Sequence, residues 1–496
     1  MKIRLPSFLK RDLPAAAGRM VRLVRRSGVS AKYDSAQTTT DNMRHWVMAD
    51  GLSPDASNSP AVRRVLRNRA RYEVANNCYA KGIVQTVAND LVGTGPRLQM
   101  QTGNPDVDRT IEKLFSAWAR EIKLSAKLRL MRRERAESGE VFAMFVNNPT
   151  LRSPVKLDLR IIEADQVAAS LAKLPEPNEV DGIKFDDAGN PISYNVLKRH
   201  PGDLMYWGTS SLDADEIPAK FMIHYFREER AGQRRGIPDI TPALPLFAQL
   251  RRFTLATIAA AETAADFAAV LTSDAPAFNE DEQPDPFETV EIESRMMTVL
   301  PGGLNLNQLR AEHPNTTYPQ FKAEVINEIA RCLDIPYNIA ACNSSSYNYS
   351  SGRLDHQTYY RSIDVEREDM EALALDRVID MWLDEASLVS GLLPQPARMV
   401  GADRSHVWYW PGREHVDPVK EASAQQTRLT NNTTTLAAEY AAQGKDWEEE
   451  IRQRAKEVAL LKELGLTPAQ AAPAQNNGAN DATDGNEDDA PARSAA

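Results

Sequence analysis

The run "TPALPLFAQLRRFTLATIAAAETAADFAAVL", Thr241 to Leu271, constrains this chain most. Thr241 followed by Pro242 is a helix N-cap and first-turn pair. From there only Pro245 could interrupt a helix, and it still lies near the first turn. Thirty residues, 242–271, in one helix rise about 45 Å at 1.5 Å per residue. Alanine recurs on every face of the second half, so the helix can be approached closely from several sides. Two readings follow: a core helix of a large domain, or a helix packed against copies of itself. A membrane span is not expected, because the run carries Glu262 and Asp266 and is rich in alanine rather than leucine.

The rest of the chain must supply the surroundings. Its 496 residues suggest about three domains. A hydrophobic share of 42% allows a sizeable core. The net charge of −10 argues against a general nucleic-acid binder held by phosphate contacts. Charge is uneven: residues 1–72 hold 15 Lys and Arg against 5 Asp and Glu, while residues 272–293 hold 8 acids and no base. Residues 445–496 hold 11 acids against 6 bases. A solvated face or tail is the plain reading of each run. Cys78, Cys332 and Cys342 show no CxxC spacing, which fits a reducing compartment and small buried hydrophobes. The basic N-terminus lacks the apolar core of a secretory signal.

Residues 1–58 read as a flexible basic arm. One helical pattern runs from Val62 to Val92, ended by Gly93 as a C-terminal cap. A second spans Val107 to Arg120. Residues 139–230 change period to strand-like runs, "GEVFAMFVNN", "LDLRIIEADQV", "GIKFDDAGNPISYNVLK" and "AKFMIHYFRE", with "DDAGN" as a hairpin turn. After the alanine-rich helix come an acidic stretch and strand-like "RMMTVLPGG". A helix follows with Phe321, Val325, Ile329 and Leu333 in one stripe, stopped by Pro336. A loop, "SSSYNYSSG", then opens a long helix, Leu354 to Leu388, with Leu375, Val378, Ile379, Trp382 and Leu383 as its apolar stripe. Residues 417–464 are helical, and 466–496 form a disordered acidic tail.

Several chemistries find no residues. No GxxxxGK[ST] or GxGxxG stretch is present, and the "GTG" at Gly93–Gly95 runs into Pro96, which has no amide for a phosphate. No cofactor is implied, and no histidine pairs with cysteine at a metal-ligand spacing. His224, on a strand-like run, reads as structural. His356 lies about one helical turn after Ser351 and Gly352, which raises a metal-free hydrolase using Ser350 or Ser351 as an alternative. "YSSGR" is not the GxSxG elbow, however, and no third group is identifiable.

Four stretches taken together resemble one family. "RYEVANNCYAKGIVQTVANDLVGTGPRLQ" (Arg71 to Gln99) and "HYFREERAGQRRGIPDITPAL" (His224 to Leu244) are similar to segments of lambda-type phage portal proteins. So are "HPNTTYPQFKAEVINEIARCLDIPYNIA" followed by "YNYSSGRLDHQTYYRS", and "DPVKEASAQQTRL". The resemblance runs from about residue 60 to 464. It implies an α+β ring subunit, one of about twelve, with an α/β wing at 59–235 and a stem helix at 236–271. It further implies a clip or clip-adjacent acidic segment at 272–312, a channel-proximal helix, loop and long helix at 313–400, and a helical crown-like region at 401–465. The implied function is a channel at one capsid vertex for packaging and ejecting double-stranded DNA without sequence specificity. The implied partners are the terminase large subunit, the major capsid and scaffold proteins, and head-tail completion proteins. Assembly is implied in the bacterial host cytoplasm, with no membrane involved. A virion adaptor or scaffold without a channel is the alternative within the same class.

Two segments are candidate sites on this reading. Tyr347, Asn348, Tyr349, Ser350, Ser351 and Arg353 offer uncharged hydrogen bonding beside one cation, suited either to a channel-contact loop or to a subunit contact. Glu280, Asp281, Glu282, Asp285 and Glu288 would repel phosphate near a channel, where about 6–10 phosphate contacts would act as a brake on moving DNA.

Overall fold

The computed structural model describes residues 44–169, 178–203, 213–265, 269–273, 304–308, 318–345, 347–398, 401–413 and 418–466. The chain divides into two compact units, residues 1–57 and 58–496. In the first, a turn at 44–48 and a helical turn at Pro54–Ser57 leave Trp46, Val47, Met48 and Leu52 exposed.

The second unit begins with α1 (Pro60–Asn76) and α2 (Cys78–Val92). The sequence pattern reads as one helix here, but Asn77 breaks it. Its backbone is extended and its side chain accepts from the Tyr79 and Ala80 amides, so it caps α2 where a continuing helix would have no use for it. Gly93 ends α2 with φ +55°, as a cap there requires. Strand β1 (Arg97–Met100) follows, then α3 (Pro105–Glu121), which buries Val107, Ile111, Phe115 and Trp118 on one face. Helix α4 (Leu124–Ser138) has no counterpart in the sequence reading. Four arginines interrupt its apolar stripe, and two of them, Arg132 and Arg135, are fully buried.

The mixed region holds two antiparallel sheets. Strand β2 (Glu140–Asn147) lies between β3 (Leu157–Glu163) and β8 (Met222–Phe226). The second sheet runs β4 (Glu179–Val180), β5 (Ile183–Phe185), β6 (Pro191–Leu197) and β7 (Ala214–Pro218), with the expected turn at Asp186–Asn190 joining β5 to β6. Strand β2 alternates as a strand must. Val141, Ala143 and Phe145 enter the main core, whereas Phe142 enters a smaller core with Ile162, Ile183 and Tyr194. Both faces of β2 are therefore covered.

Helix α5 (Leu244–Ala265) follows a 3₁₀ turn at Thr241–Ala243. It ends before the expected Leu271, because Ala269–Ser273 forms β9, paired antiparallel with β10 (Leu304–Gln308). The expected strand at "RMMTVLPGG" lies outside the described residues. Helices α6 (Tyr318–Arg331) and α7 (Tyr337–Ala341) lead to α8 (Tyr349–Met370). One π turn, Glu371–Leu375, joins α8 to α9 (Asp376–Leu388) without a break. The predicted stripe Leu375, Val378, Ile379, Trp382 and Leu383 is buried. Strand β11 (His406–Tyr409) returns across the chain to pair with β1. It brings Trp408 to Phe115, which also meets Trp382 edge-on at 5.5 Å. The expected helical C-terminal part is three helices: α10 (Pro418–Thr430), α11 (Leu436–Ala442) and α12 (Trp447–Glu463). No helix among the described residues is long and apolar enough to cross a membrane. Of the cysteines, Cys332 is partly buried but Cys78 and Cys342 are exposed, contrary to their expected burial. Both flank helix ends, at the start of α2 and just past α7.

Candidate assembly and channel surfaces

The opening loop is shorter than the sequence suggests. Asn348 caps α8: its Oδ1 accepts from the Ser351 amide at 2.8 Å, and its own amide donates to Ser351 Oγ at 3.3 Å. That reciprocal pair is a capping box, so Tyr349, Ser350, Ser351 and Arg353 belong to the first helical turns rather than to a loop. What remains of the loop turns through Cys342 (φ +52°), Ser345 and Tyr347. Tyr347 is half-buried; burial first, and then the nearby Asp355 carboxylate, push its hydroxyl pKa up. Asn348, Ser350, Ser351 and Arg353 are exposed, and Arg353 forms no ion pair among the described residues. The hydrolase alternative does not obtain its hydrogen bond. Ser351 Oγ is engaged with the Asn348 backbone, and His356 Nε2 accepts from Asn338 Nδ2 at 2.9 Å. The second candidate group, Glu280, Asp281, Glu282, Asp285 and Glu288, lies outside the described residues.

Helix α5 changes character along its length. Leu244, Phe247 and Leu250 are buried in the main core. Phe253 still stacks on Tyr318 (5.5 Å) and Phe321 (4.7 Å) of α6. Beyond it, Leu255 is 61% and Ile258 50% exposed, on the same stretch as exposed Ala256, Ala260 and Ala261. The distal half thus presents small and branched apolar side chains with no cover among the described residues.

Two buried ion networks set these surfaces in place, and the sequence reading did not find them. In the first, Glu140 at the start of β2 is fully buried, as is Arg235. Arg235 reaches Glu140 at 2.7 Å, His224 Nε2 lies 2.9 Å from Glu140 Oε2, Arg67 of α1 pairs with Glu140, and the Gly236 amide donates to it at 2.9 Å. Burial pushes Glu140 up, but Arg235, His224 and Arg67 outweigh it and hold the carboxyl well below its ordinary range. His224 is pushed below 6.5 by burial, against the pull of Glu140. It stacks between Phe142 (4.3 Å) and Phe226 (4.2 Å), a structural histidine as expected. Arg235 also bonds the carbonyls of Ala164, Val167 and Asp181, so every donor direction is used. In the second network, Arg132 and Arg135 of α4 grip Glu366 of α8 (2.7 and 2.9 Å) and Asp239, and Arg135 meets the Tyr225 hydroxyl at 3.2 Å. Burial opposes ionisation of Glu366, yet the two arginines bring it down to about 2. Together with Arg377 donating to the Met222 and Ala219 carbonyls, this locks the long helix to the three-stranded sheet.

Glu163, Asp165 and His200 converge closely enough to face a common point. Arg71 lies 2.7 Å from Asp165 and 3.4 Å from Glu163, and the Gly202 amide donates to His200 Nδ1. The carboxylates are already neutralised by a resident guanidinium, so the group is an ion-pair cluster.

Comparison with known proteins bears on what these surfaces serve. The chain is 25% identical over 450 residues to the probable portal protein of Halomonas phage phiHAP-1, covering 86% of each chain. It is 21% identical over 471 residues to portal protein B of Escherichia phage lambda, covering 84% of this chain and 88% of that one. Among solved structures, a chain from the neck of an empty GTA particle matches 76% of this chain and 93% of its own length, at 13% identity and a TM-score of 0.45. The family described as "Phage portal protein, lambda family" matches residues 39–367, which takes in both ion networks, α5 and the capped start of α8. The chain belongs to the lambda family of phage portal proteins.

Proposed function

We propose that the chain is one subunit of a closed ring with cyclic symmetry that surrounds a channel for double-stranded DNA at one capsid vertex. The observation that carries this reading is the distal half of α5, where Leu255 and Ile258 stand exposed amid alanines on a helix whose first half is buried in the main core. A heterologous contact repeated around an axis covers such a face on every copy and leaves none open. On this reading residues 59–235 are the wing, 236–271 the stem, 272–312 the clip, 313–400 the channel-proximal part and 401–465 the crown-like part. The terminase large subunit drives DNA through the ring, capsid and scaffold proteins surround it, and head-tail completion proteins dock on it later. The acidic 272–293 segment and the polar start of α8 keep passing phosphates from binding tightly, since each retained contact would add to a salt-dependent grip. Native mass spectrometry should show one high oligomer of about twelve copies, and end-on electron microscopy should show a central hole. A stable monomer at every concentration would refute the proposal.

A further inference from the structure

Helices α5 and α6 each leave one side unused. The start of α6 meets the middle of α5: Phe253 packs on Tyr318 and Phe321, and the Tyr318 hydroxyl donates to Thr254 Oγ1 at 3.4 Å. The 3₁₀ turn Thr241–Ala243, which precedes α5, also touches α6, so the two helices run antiparallel. At 3.6 residues per turn, Leu250, Phe253, Thr254 and Thr257 fall on the side of α5 turned to α6 and the core. Arg252, Leu255 and Ala259 fall on the opposite side, and all three are exposed. Helix α6 buries Ile326, Ile329 and Ala330 and exposes Phe321, Glu324 and Glu328, which recur at i, i+3 and i+7. Neighbouring charges on the same helices are engaged within the copy: Arg251 pairs with Glu73 of α1 at 2.8 Å, and Arg331 with Asp334 at 2.9 Å. Arg252, Glu324 and Glu328 have no hydrogen bond or ion pair through their side chains among the described residues.

We propose that the exposed side of α5 in one copy docks on the exposed side of α6 in a second copy, with Arg252 paired to Glu324 and Leu255 packed on Phe321. The inference rests on the ring reading above and names the surface that receives α5. Charge and order both match. Along α5 a cation is followed three residues later by an aliphatic side chain. Along α6, read backwards, a carboxylate is followed three residues later by an aromatic ring that is 49% exposed. Two helices laid antiparallel, as α5 and α6 already lie within one copy, bring like positions level. Ala256 and Ala259, on the same side as Leu255, let the partner helix approach to the short end of the usual 8–10 Å spacing. The receiving side of α6 is turned away from the seam with α5, since Glu324 stands about 120° around the helix from Tyr318. A copy thus offers a donor side and a receiving side that do not meet each other, which is what a heterologous contact repeated around an axis needs. Glu328, one turn from Glu324, adds a second carboxylate within the same field, so the receiving side favours a cation and rejects an acidic face.

Charge reversal in the full chain, with assembly followed by analytical ultracentrifugation, tests the contact. Arg252→Glu sets carboxylates against each other across it, and Glu324→Arg sets guanidiniums against each other. Each should raise the subunit concentration at half assembly at least about tenfold. Arg252→Glu combined with Glu324→Arg rebuilds the pair with its signs exchanged. That chain should return to within about threefold of the wild type. Circular dichroism of the unassembled subunits should match the wild type throughout, because neither side chain has a partner within its own copy. Single reversals that assemble like the wild type would mean that something other than a second copy's α6 covers α5, and would overturn the proposal with the ring left standing. So would a double reversal as impaired as the singles, or a single reversal that loses its fold. A wild-type chain that forms no high oligomer would overturn both this contact and the ring.

Discussion

At the scale of single residues, charge inside the molecule matters more than charge on its surface. Glu140 is in direct contact with two guanidiniums, an imidazole and an amide. Removing its charge leaves the buried Arg235 with the Asp181 carboxylate alone, at 3.1 Å, and breaks the group by taking out one partner, the costly way to do so. Glu140→Gln should lower stability by about 3–5 kcal/mol, read from the denaturant midpoint. A change under about 1 kcal/mol would mean the arginines find other acceptors. None of this was visible in the sequence. Glu140, His224 and Arg235 stand up to 95 positions apart, and a charged residue in a strand-like run gives no sign of where its partner lies. His224 alone was legible, because it sits in a strand-like run with Phe221, Ile223 and Phe226.

At the scale of elements, the sequence read best where one face is apolar and the spacing is clean. Helix α3 and the stripe from Leu375 to Leu383 are of this kind. It read worst where a buried face is charged, as in α4, or where a cap looks like any helical residue, as at Asn77. The run Ala269–Ser273 suits a helix or a strand equally, and only its partner at Leu304–Gln308 decides. The start of α8 shows the same limit. "YNYSSGRLD" reads as a loop by composition, yet asparagine and serine three apart are also a capping box. That distinction sharpens what tyrosines in this stretch do. Replacing Tyr347 and Tyr349 with alanine leaves Asn348 and Ser351 to cap the helix, and losing the half-buried Tyr347 ring should lower stability by on the order of 1 kcal/mol, too little to unfold the chain. Rings should form normally by microscopy, with fewer DNA-filled heads. Failed assembly alongside normal filling of each assembled particle would mark the stretch as a subunit contact instead.

At the scale of the whole molecule, the family assignment was legible because it rests on order along the chain, four stretches in sequence, rather than on any one site. The tail was read from composition alone. Residues 467–496 carry too little apolar surface to offset the entropy of ordering, so a chain ending at Leu466 should keep its oligomer size and thermal midpoint. Dissociation into subunits on that truncation would contradict this. The β1–β11 ribbon has a further consequence, in time rather than space. Arg97 pairs with Tyr409, and Trp408 completes the aromatic cluster around Phe115. At about 5–20 residues per second, a ribosome that has made β1 works for roughly 15–60 s before β11 exists. Until then the nascent chain holds its central aromatic cluster open and cannot close the ribbon. Synthesis past Tyr409 is thus the event that lets the core close, and a chain cut short before Trp408 has no route to that state.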